Sequence, residues 1–302
     1  MLGNDGNDVF LLAGSSGGND VAVGGAGFNQ IQVIGTNAAD TLLVGQINGT
    51  LMLSRGTATI TAESQIDNAL VNGLTGNAQI TVSDLVAVQV AIQVVINGGA
   101  GNDILNASNV NLGRIRLAMN GDDGTDTITG SLGNDTITGG DDADAINGST
   151  GNDSISGQDG DDVLAGELGN DTLDGGNGAD FFTGQEGNDS LVGGDSANTL
   201  KGFEGDDTLS GDAGDDLLDG MDGNNAIFSG LGWDVLIGGN GKDIIIGDDG
   251  NDRINGRDTV AGNQGNDVIT DPPAEIHEDF VLSLALRTLL ESVSCGRGSW
   301  KK

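Results

Sequence analysis

Residues 157–192 read GQDGDDVLA-GELGNDTLD-GGNGADFFT-GQEGNDSLV, four consecutive units of nine residues that share one pattern. Each unit has Gly at its first and fourth positions, Asp at its sixth and an apolar residue at its eighth. The same period extends over residues 121–255 as 15 units without an insertion or deletion. A short fixed period predicts a stacked array, because a nine-residue unit cannot bury its own apolar side chain.

The conserved register of the units identifies a predicted core and a predicted polar edge. The eighth position is apolar in all 15 units, the first position is Gly in 14, the fourth is Gly in 13 and the sixth is Asp in 13. Glycine at two fixed positions favours a backbone with positive φ or a close approach between chains. The predicted core residues are Ile128, Ile137, Ile146, Ile155, Leu164, Leu173, Phe182, Leu191, Leu200, Leu209, Leu218, Ile227, Leu236, Ile245 and Ile254.

The units resemble the nonapeptide repeats of the RTX, or haemolysin-type calcium-binding, family. Residues 175–183 and 238–246 match the family pattern Gly-Gly-x-Gly-x-Asp-x-apolar-x at every defined position. Looser copies occur at residues 3–11, 15–23, 24–32, 98–106 and 262–270. The resemblance implies an all-β fold, a right-handed parallel β-roll or β-solenoid in which positions one to six form a turn, positions seven to nine form a strand and two units complete one coil.

Calcium is the cation that this resemblance implies, and the residue chemistry agrees with it. A Gly-rich turn that ends in Asp offers carbonyl and carboxylate oxygens, which suit a hard cation with six to eight oxygen ligands. The absence of thiolate and imidazole ligands in the repeats makes zinc, copper and iron poor candidates. The predicted metal ligands are Asp8, Asp20, Asp103, Asp126, Asp135, Asp144, Asp153, Asp162, Asp171, Asp180, Asp189, Asp207, Asp216, Asp234, Asp243, Asp252 and Asp267.

Charge predicts that the array needs these ions in order to fold. Residues 121–255 carry a net charge of −28, within a chain of net charge −35. If calcium bridges successive turns of one edge, as in the family, up to about 13 inter-turn sites would nearly cancel that charge. Asn198 and Asn225 replace Asp at the sixth position, and we expect both turns to bind calcium weakly. The alternative is a metal-free Gly/Asp-rich linker or a solenoid that has lost its ions.

Sequence composition divides the chain into five predicted segments. Short β-prone runs in the second segment favour metal-free solenoid coils, with a separate small β domain as the alternative. The pair Pro272-Pro273 is expected to stop the stack, and residues 280–290 are expected to form a short C-terminal cap helix. The segments are 1–34 (degenerate repeats), 35–97 (metal-free coils), 98–120 (a transitional repeat and coil), 121–270 (the regular calcium-binding roll) and 271–302 (a cap or export tail).

Several functional classes are disfavoured by the sequence. The only histidine is His277, so a His-Glu-x-x-His zinc protease site is excluded, and the match of residues 14–18 to Gly-x-Ser-x-Gly lacks a nearby base. The paired carboxylates of the turns follow the repeat and are better explained as calcium ligands than as glycosidase acids. Strong negative charge disfavours nucleic acid as a partner, and the apolar run 85–96 is too short to span a membrane. We therefore expect no enzymatic activity.

Two functional hypotheses remain after these exclusions. The first is a calcium-binding module of a secreted, extracellular protein that folds outside the cell and aids export through a type I secretion apparatus. The second is a structural or adhesive solenoid at the cell surface. Residues 1–9 lack the basic and apolar stretches of a signal peptide and begin inside a repeat, so we expect an upstream effector or adhesin domain to be missing.

Overall fold

The fold is built entirely from β-strands in the part of the chain that the structure describes. The computed structural model describes residues 68–73, 75–83, 92–110 and 115–256. Outside these ranges it describes only the strands before residue 68 and after residue 256, whose bounds are given below. The strands form two sheets of 15 strands each in these residues. Nearly all pairings are parallel and follow the order of the coils, so the predicted all-β parallel solenoid is confirmed.

Successive strands of the regular array alternate between the two sheets. The first sheet contains β1 (Val9–Leu12), β3 (Gln30–Ile34), β7 (Asn68–Asn72), β9 (Ile92–Asn97), β11 (Ile115–Asp123), β13 (Asp135–Asp141), β15 (Ser154–Asp159), β17 (Thr172–Asn177), β19 (Ser190–Asp195), β21 (Thr208–Ala213), β23 (Ala226–Gly232), β25 (Ile244–Ile246), β28 (Thr259–Ala261) and β30 (Glu275–Ile276), with β26 (Asp249–Gly250) paired to β23. The second contains β2 (Asn19–Ala22), β6 (Ala58–Ala62), β5 (Thr50–Arg55), β4 (Thr41–Ile47), β8 (Gln79–Ser83), β10 (Ile104–Asn109), β12 (Thr127–Thr129), β14 (Ala145–Asn147), β16 (Val163–Leu168), β18 (Phe181–Glu186), β20 (Thr199–Glu204), β22 (Leu217–Asp222), β24 (Val235–Ile237), β27 (Arg253–Asn255) and β29 (Val268–Ile269).

The register of the strands shows that two nine-residue units make one coil. Ile137 pairs with Ile155, and Ile155 pairs with Leu173, each pair 18 residues apart in sequence. Several strands, such as β17, run from the seventh position of one unit to the third position of the next. They are longer than the three residues that the family resemblance implies, because the stacked turns also pair with each other in register.

The interior of the solenoid is a single column of apolar side chains. Every predicted eighth-position residue from Ile128 to Ile254 is at most 3% exposed, which confirms the predicted core. The column continues beyond the array through residues such as Ile80, Ile96 and Leu105. Seventh-position side chains point outward and ninth-position side chains are half-buried, as the period of two along a strand requires.

The segment 35–97 contains an antiparallel insertion that the sequence interpretation did not include. Strand β5 lies between β4 and β6 and pairs antiparallel with both, while β4 pairs parallel with β8 and β6 pairs parallel with β2. Only Asn48-Gly49 separates β4 from β5, and a two-residue Asn-Gly connection favours a hairpin. These strands therefore widen the second sheet instead of completing further parallel coils.

The C-terminal part of the stack differs from the expectation at the two prolines. Strand β30 pairs with β28 in parallel, so the stack continues past Pro272 and Pro273, and the expectation that they stop it is wrong. In sequence, the prolines lie between β29 and β30. The predicted cap helix at residues 280–290 lies outside the described residues. No helix in the described part of the chain is long and apolar enough to cross a membrane.

We predict that truncation of one core side chain destabilises the roll while truncation of its neighbour does not. Leu173 is fully buried, so Leu173→Ala should lower the free energy of unfolding by about 2–5 kcal/mol. Thr172→Ala, at the exposed seventh position of the same strand, should change it by less than about 0.5 kcal/mol. Denaturant unfolding of the calcium-loaded protein measures both values, and equal effects of the two variants would contradict the assignment of the core.

Candidate metal centre

The sixth-position aspartates are as deeply buried as the apolar core. Asp126 is fully buried, and Asp162 and Asp171 are 1% exposed. The turn residues on either side of them, such as Asp161 and Asn170, are exposed. Each turn of the array therefore directs one carboxylate into the protein, where an ionised group is costly unless it is paired.

In every buried sixth-position carboxylate except that of Asp135, one oxygen accepts a hydrogen bond from the neighbouring coil. The backbone N–H of Asp126 donates to Oδ1 of Asp144 at 2.7 Å, and the N–H of Asp144 donates to Oδ1 of Asp162 at 2.7 Å. The same contact repeats along both edges of the roll. The first ladder runs through Ala78, Asp103, Asp126, Asp144, Asp162, Asp180, Asn198, Asp216, Asp234 and Asp252, and the second through Asp135, Asp153, Asp171, Asp189, Asp207, Asn225 and Asp243.

The second oxygen of most of these carboxylates is buried without any hydrogen-bond donor. An unpaired buried carboxylate oxygen costs several kcal/mol when the group is ionised. The repetition of this arrangement along both ladders indicates a missing positive partner. The unpartnered Oδ2 atoms include those of Asp103, Asp126, Asp144, Asp153, Asp162, Asp171, Asp180, Asp189, Asp207 and Asp216.

The first-position glycines open the space beside these oxygens. A Cβ atom added to Gly157 would overlap Oδ2 of Asp162 and lie 2.8 Å from the carbonyl oxygen of Gly175 in the next turn of the same edge. The carboxylate and the carbonyl therefore border one small space that a side chain would fill. We call this space a carboxylate cleft and name it by its sixth-position residue, here the Asp162 cleft.

The turn backbone is left-handed at two other positions. The fourth position is usually Gly, as at Gly169 with φ 137°, where a Cβ would overlap the carbonyl oxygen of Gly151 in the neighbouring coil. The second position also has positive φ where it is not Gly, for example 82° at Gln158 and 77° at Phe203. Such residues cost about 1–2 kcal/mol each, so the stacked turns must hold them in place. Sequence analysis missed the second position because its residue type varies.

Burial makes the ladder carboxylates weak acids in the absence of a cation. Burial, together with the negative charges of Asp103 and Asp144, raises the pKa of Asp126 to about 7, against the hydrogen bond from the Asp103 N–H. The pKa of Asp153 rises to about 8 for the same reasons. These carboxyls therefore favour either a bound proton or a bound cation at neutral pH.

The oxygens of a carboxylate cleft fit calcium. Both the carboxylate Oδ2 and the facing carbonyl are hard acceptors, which calcium prefers. Among the described residues, no three His, Cys, Asp or Glu side chains come together in one place, so backbone carbonyls must supply the further ligands. A bound calcium would supply the positive charge that the unpartnered Oδ2 atoms lack.

A comparison with protein families agrees with this geometry. The model of the RTX calcium-binding nonapeptide repeat matches residues 15–46 and 94–111 and, in overlapping copies, residues 120–270. The chain belongs to the RTX calcium-binding nonapeptide repeat family. No curated protein matched the chain. RTX repeats bind calcium, and in this RTX chain the carboxylate clefts are the places whose atoms suit that ion.

The structure places most of the predicted ligands of the RTX array in the two ladders. Asp8 and Asp267 lie outside the described residues, and Asp20 lies within β2. Asp135 occupies its ladder position but differs from the others, because both of its carboxylate oxygens accept hydrogen bonds from Ser131. The assignment of individual residues as calcium ligands remains a prediction.

One turn of the first ladder was missed by the sequence analysis. Residues 73–81 have Gly73 and Gly76 at the first and fourth positions and Ile80 at the eighth, but Ala78 replaces the sixth-position Asp. The N–H of Ala78 still donates to Oδ1 of Asp103 at 2.6 Å. The two glycines and the buried Ile80 were the available signal, and the missing carboxylate concealed it.

We predict that the calcium-free roll becomes more stable as the pH falls from 8 to 5. The folded pKa values of the ladder carboxyls, such as about 7 for Asp144 and Asp189, lie well above the usual pKa of an aspartate. The folded state therefore binds more protons than the unfolded state in this range, and its stability falls as the pH rises. Thermal unfolding of the metal-free chain at several pH values measures this dependence. A calcium-saturated sample is the control, because protons compete there with the bound ion. A melting temperature of the metal-free chain that rises with pH would contradict the assignment of these carboxyls as buried groups with raised pKa values.

Proposed function

We propose that this chain is the calcium-binding module of a secreted protein, and that its roll folds when calcium binds outside the cell. The observation that carries the proposal is the buried, unpartnered Oδ2 atom that recurs along both ladders, as in Asp126, Asp144 and Asp162. A single such atom could be a local irregularity. A row of them is a feature of the repeat itself, and it requires either protons or cations.

Charge repulsion supports a coupling between calcium binding and folding. Residues 121–255 carry a net charge of −28, and a ladder carboxylate can raise the pKa of its neighbour, as Asp144 does for Asp126. Divalent ions within the clefts would remove both the repulsion and the unpaired oxygens. In the calcium-free chain at neutral pH, these unfavourable interactions favour the unfolded state.

The strength of extracellular calcium sites fits a switch of this kind. Extracellular calcium modules have Kd values near 10⁻⁴–10⁻³ M, so millimolar calcium adds about 0.4–1.4 kcal/mol of stability per site. Summed over about a dozen sites, this is comparable with the whole stability of a typical domain. Calcium-poor cytoplasm would leave the chain unfolded, which suits export through a type I secretion apparatus, and folding outside would stabilise the module and any domain attached to it.

The proposal predicts that calcium converts the full chain from an expanded to a β-rich state. Chelator-treated protein at pH 8 should show a disordered circular dichroism spectrum, and millimolar calcium should produce a β spectrum and a smaller hydrodynamic radius. Magnesium is the matched control, because it has the same charge but requires a smaller, octahedral site. Sodium chloride at equal ionic strength controls for screening of the surface charge.

Three outcomes of this titration are informative. A transition with calcium alone supports the proposal. An unchanged β spectrum after chelation would contradict it. An equal response to calcium, magnesium and salt would show that charge screening, rather than binding in the clefts, folds the chain.

A further inference from the structure

Most carboxylate clefts contain only hydrogen-bond acceptors, but a few contain a donor supplied by the protein itself. In the Asp162 cleft, the groups that border the space are the Asp162 Oδ2 and the carbonyl oxygen of Gly175. Acceptors alone suit a cation. A protein N–H or O–H in the same place satisfies an acceptor without an ion and repels a cation through its partial positive charge.

Asn225 places a donor where the other turns have an unpartnered oxygen. Its Oδ1 accepts from the N–H of Asp207 at 2.9 Å, which keeps the ladder intact and fixes the orientation of the amide. Its Nδ2 therefore lies on the cleft side and donates to the carbonyl oxygen of Gly238 at 3.4 Å. A Cβ added to Gly220 would meet this Nδ2 and this carbonyl at 2.6 and 2.8 Å, so both atoms border the cleft.

Asn198 has the corresponding arrangement on the other edge of the roll. Its Oδ1 accepts from the N–H of Asp180 at 2.8 Å, and its Nδ2 donates to the carbonyl oxygen of Ser196 in its own turn at 3.0 Å. The Nδ2 lies beside Gly193, in the place that Asp Oδ2 occupies in neighbouring turns. The amide therefore satisfies the ladder and a turn carbonyl together.

Two serines introduce donors by a different route. Ser229 replaces a first-position glycine, is fully buried and donates its hydroxyl to the carbonyl oxygen of Gly247 at 2.6 Å. Oδ2 of Asp234 in the same unit still has no donor, so Ser229 satisfies only the carbonyl of its cleft. Ser131 lies at a second position, and its N–H and hydroxyl donate to the Asp135 carboxylate at 2.6–2.9 Å. Ser131 also lacks the positive φ that other second-position residues, such as Gln158, adopt. Its turn is therefore rearranged around the serine.

We propose that Ser131, Asn198 and Asn225 are built-in substitutes for calcium, which close their clefts with a protein hydrogen bond and exclude the ion. The inference rests on the proposed function, since it assumes that the acceptor-only clefts bind calcium. The inference divides the roll into coils whose stacking depends on calcium and coils that stack without it. Coils 139–192 contain acceptor-only clefts. The clefts closed by Asn198 and Asn225 both lie within residues 193–252, and we expect the coils there to stay stacked at lower calcium.

The decisive variants exchange donor and acceptor within one ladder. Asn225→Asp replaces the Nδ2 donor by an oxygen and should add about one bound calcium per chain. Asp207→Asn, one coil earlier on the same ladder, makes the opposite change and should remove about one. Asn224→Asp is the matched control, because it adds the same charge at the preceding residue, which lies on the exposed side of the turn. It should leave the number of ions unchanged.

Equilibrium dialysis with radioactive calcium counts the ions, and a calcium titration at pH 8 followed by circular dichroism provides a second measurement. Folding of Asn225→Asp should require more calcium and folding of Asp207→Asn should require less, because each variant gains or loses a buried oxygen that is unpaired in the calcium-free roll. Equal ion counts for Asn225→Asp and Asn224→Asp would overturn the inference, and so would an unchanged count in Asp207→Asn. If the unaltered chain binds no calcium, the proposed function itself fails, so the two failures are distinguishable.

Discussion

The structure depends on a buried carboxylate that is satisfied on one oxygen only. In each regular turn, Oδ1 accepts the N–H of the neighbouring coil, as between Asp126 and Asp144, and this contact aligns successive turns. The same contact holds Oδ2 inside the protein, where water cannot reach it. The hydrogen bond that stacks the coils therefore also leaves a buried oxygen that needs a proton or a cation, and this is the physical basis of the proposed coupling between folding and calcium binding.

The glycines and the apolar residues are consequences of this arrangement. A first-position side chain would occupy the space beside Oδ2, as the close approach between Gly157 and Asp162 shows. A single apolar residue per unit, such as Leu173, is all that fits between two sheets separated by such tight turns. The core is thus a narrow column, and the edges must contribute cohesion that larger proteins obtain from their interior.

The period of the sequence predicted a stacked array with an eighth-position core, and the resemblance to the RTX family implied the parallel β-roll and the placement of sixth-position aspartates along two edges. Three features could not be predicted from the period. The positive φ at Gln158 and Phe203 is imposed by stacking and leaves no trace in residue type. The turn with Ala78 lacks the carboxylate that marks the others, and the donor role of Asn225 depends on which way its amide points, which only its contact with Asp207 determines.

The most direct test of the central claim is an anomalous-scattering map from crystals of the full chain grown with calcium. The account predicts peaks inside the roll beside Oδ2 of Asp126, Asp144 and Asp162, each also in contact with the first-position carbonyl of the next turn. Oδ2 atoms that instead face protein donors or bulk water, with no anomalous peak beside them, would contradict it.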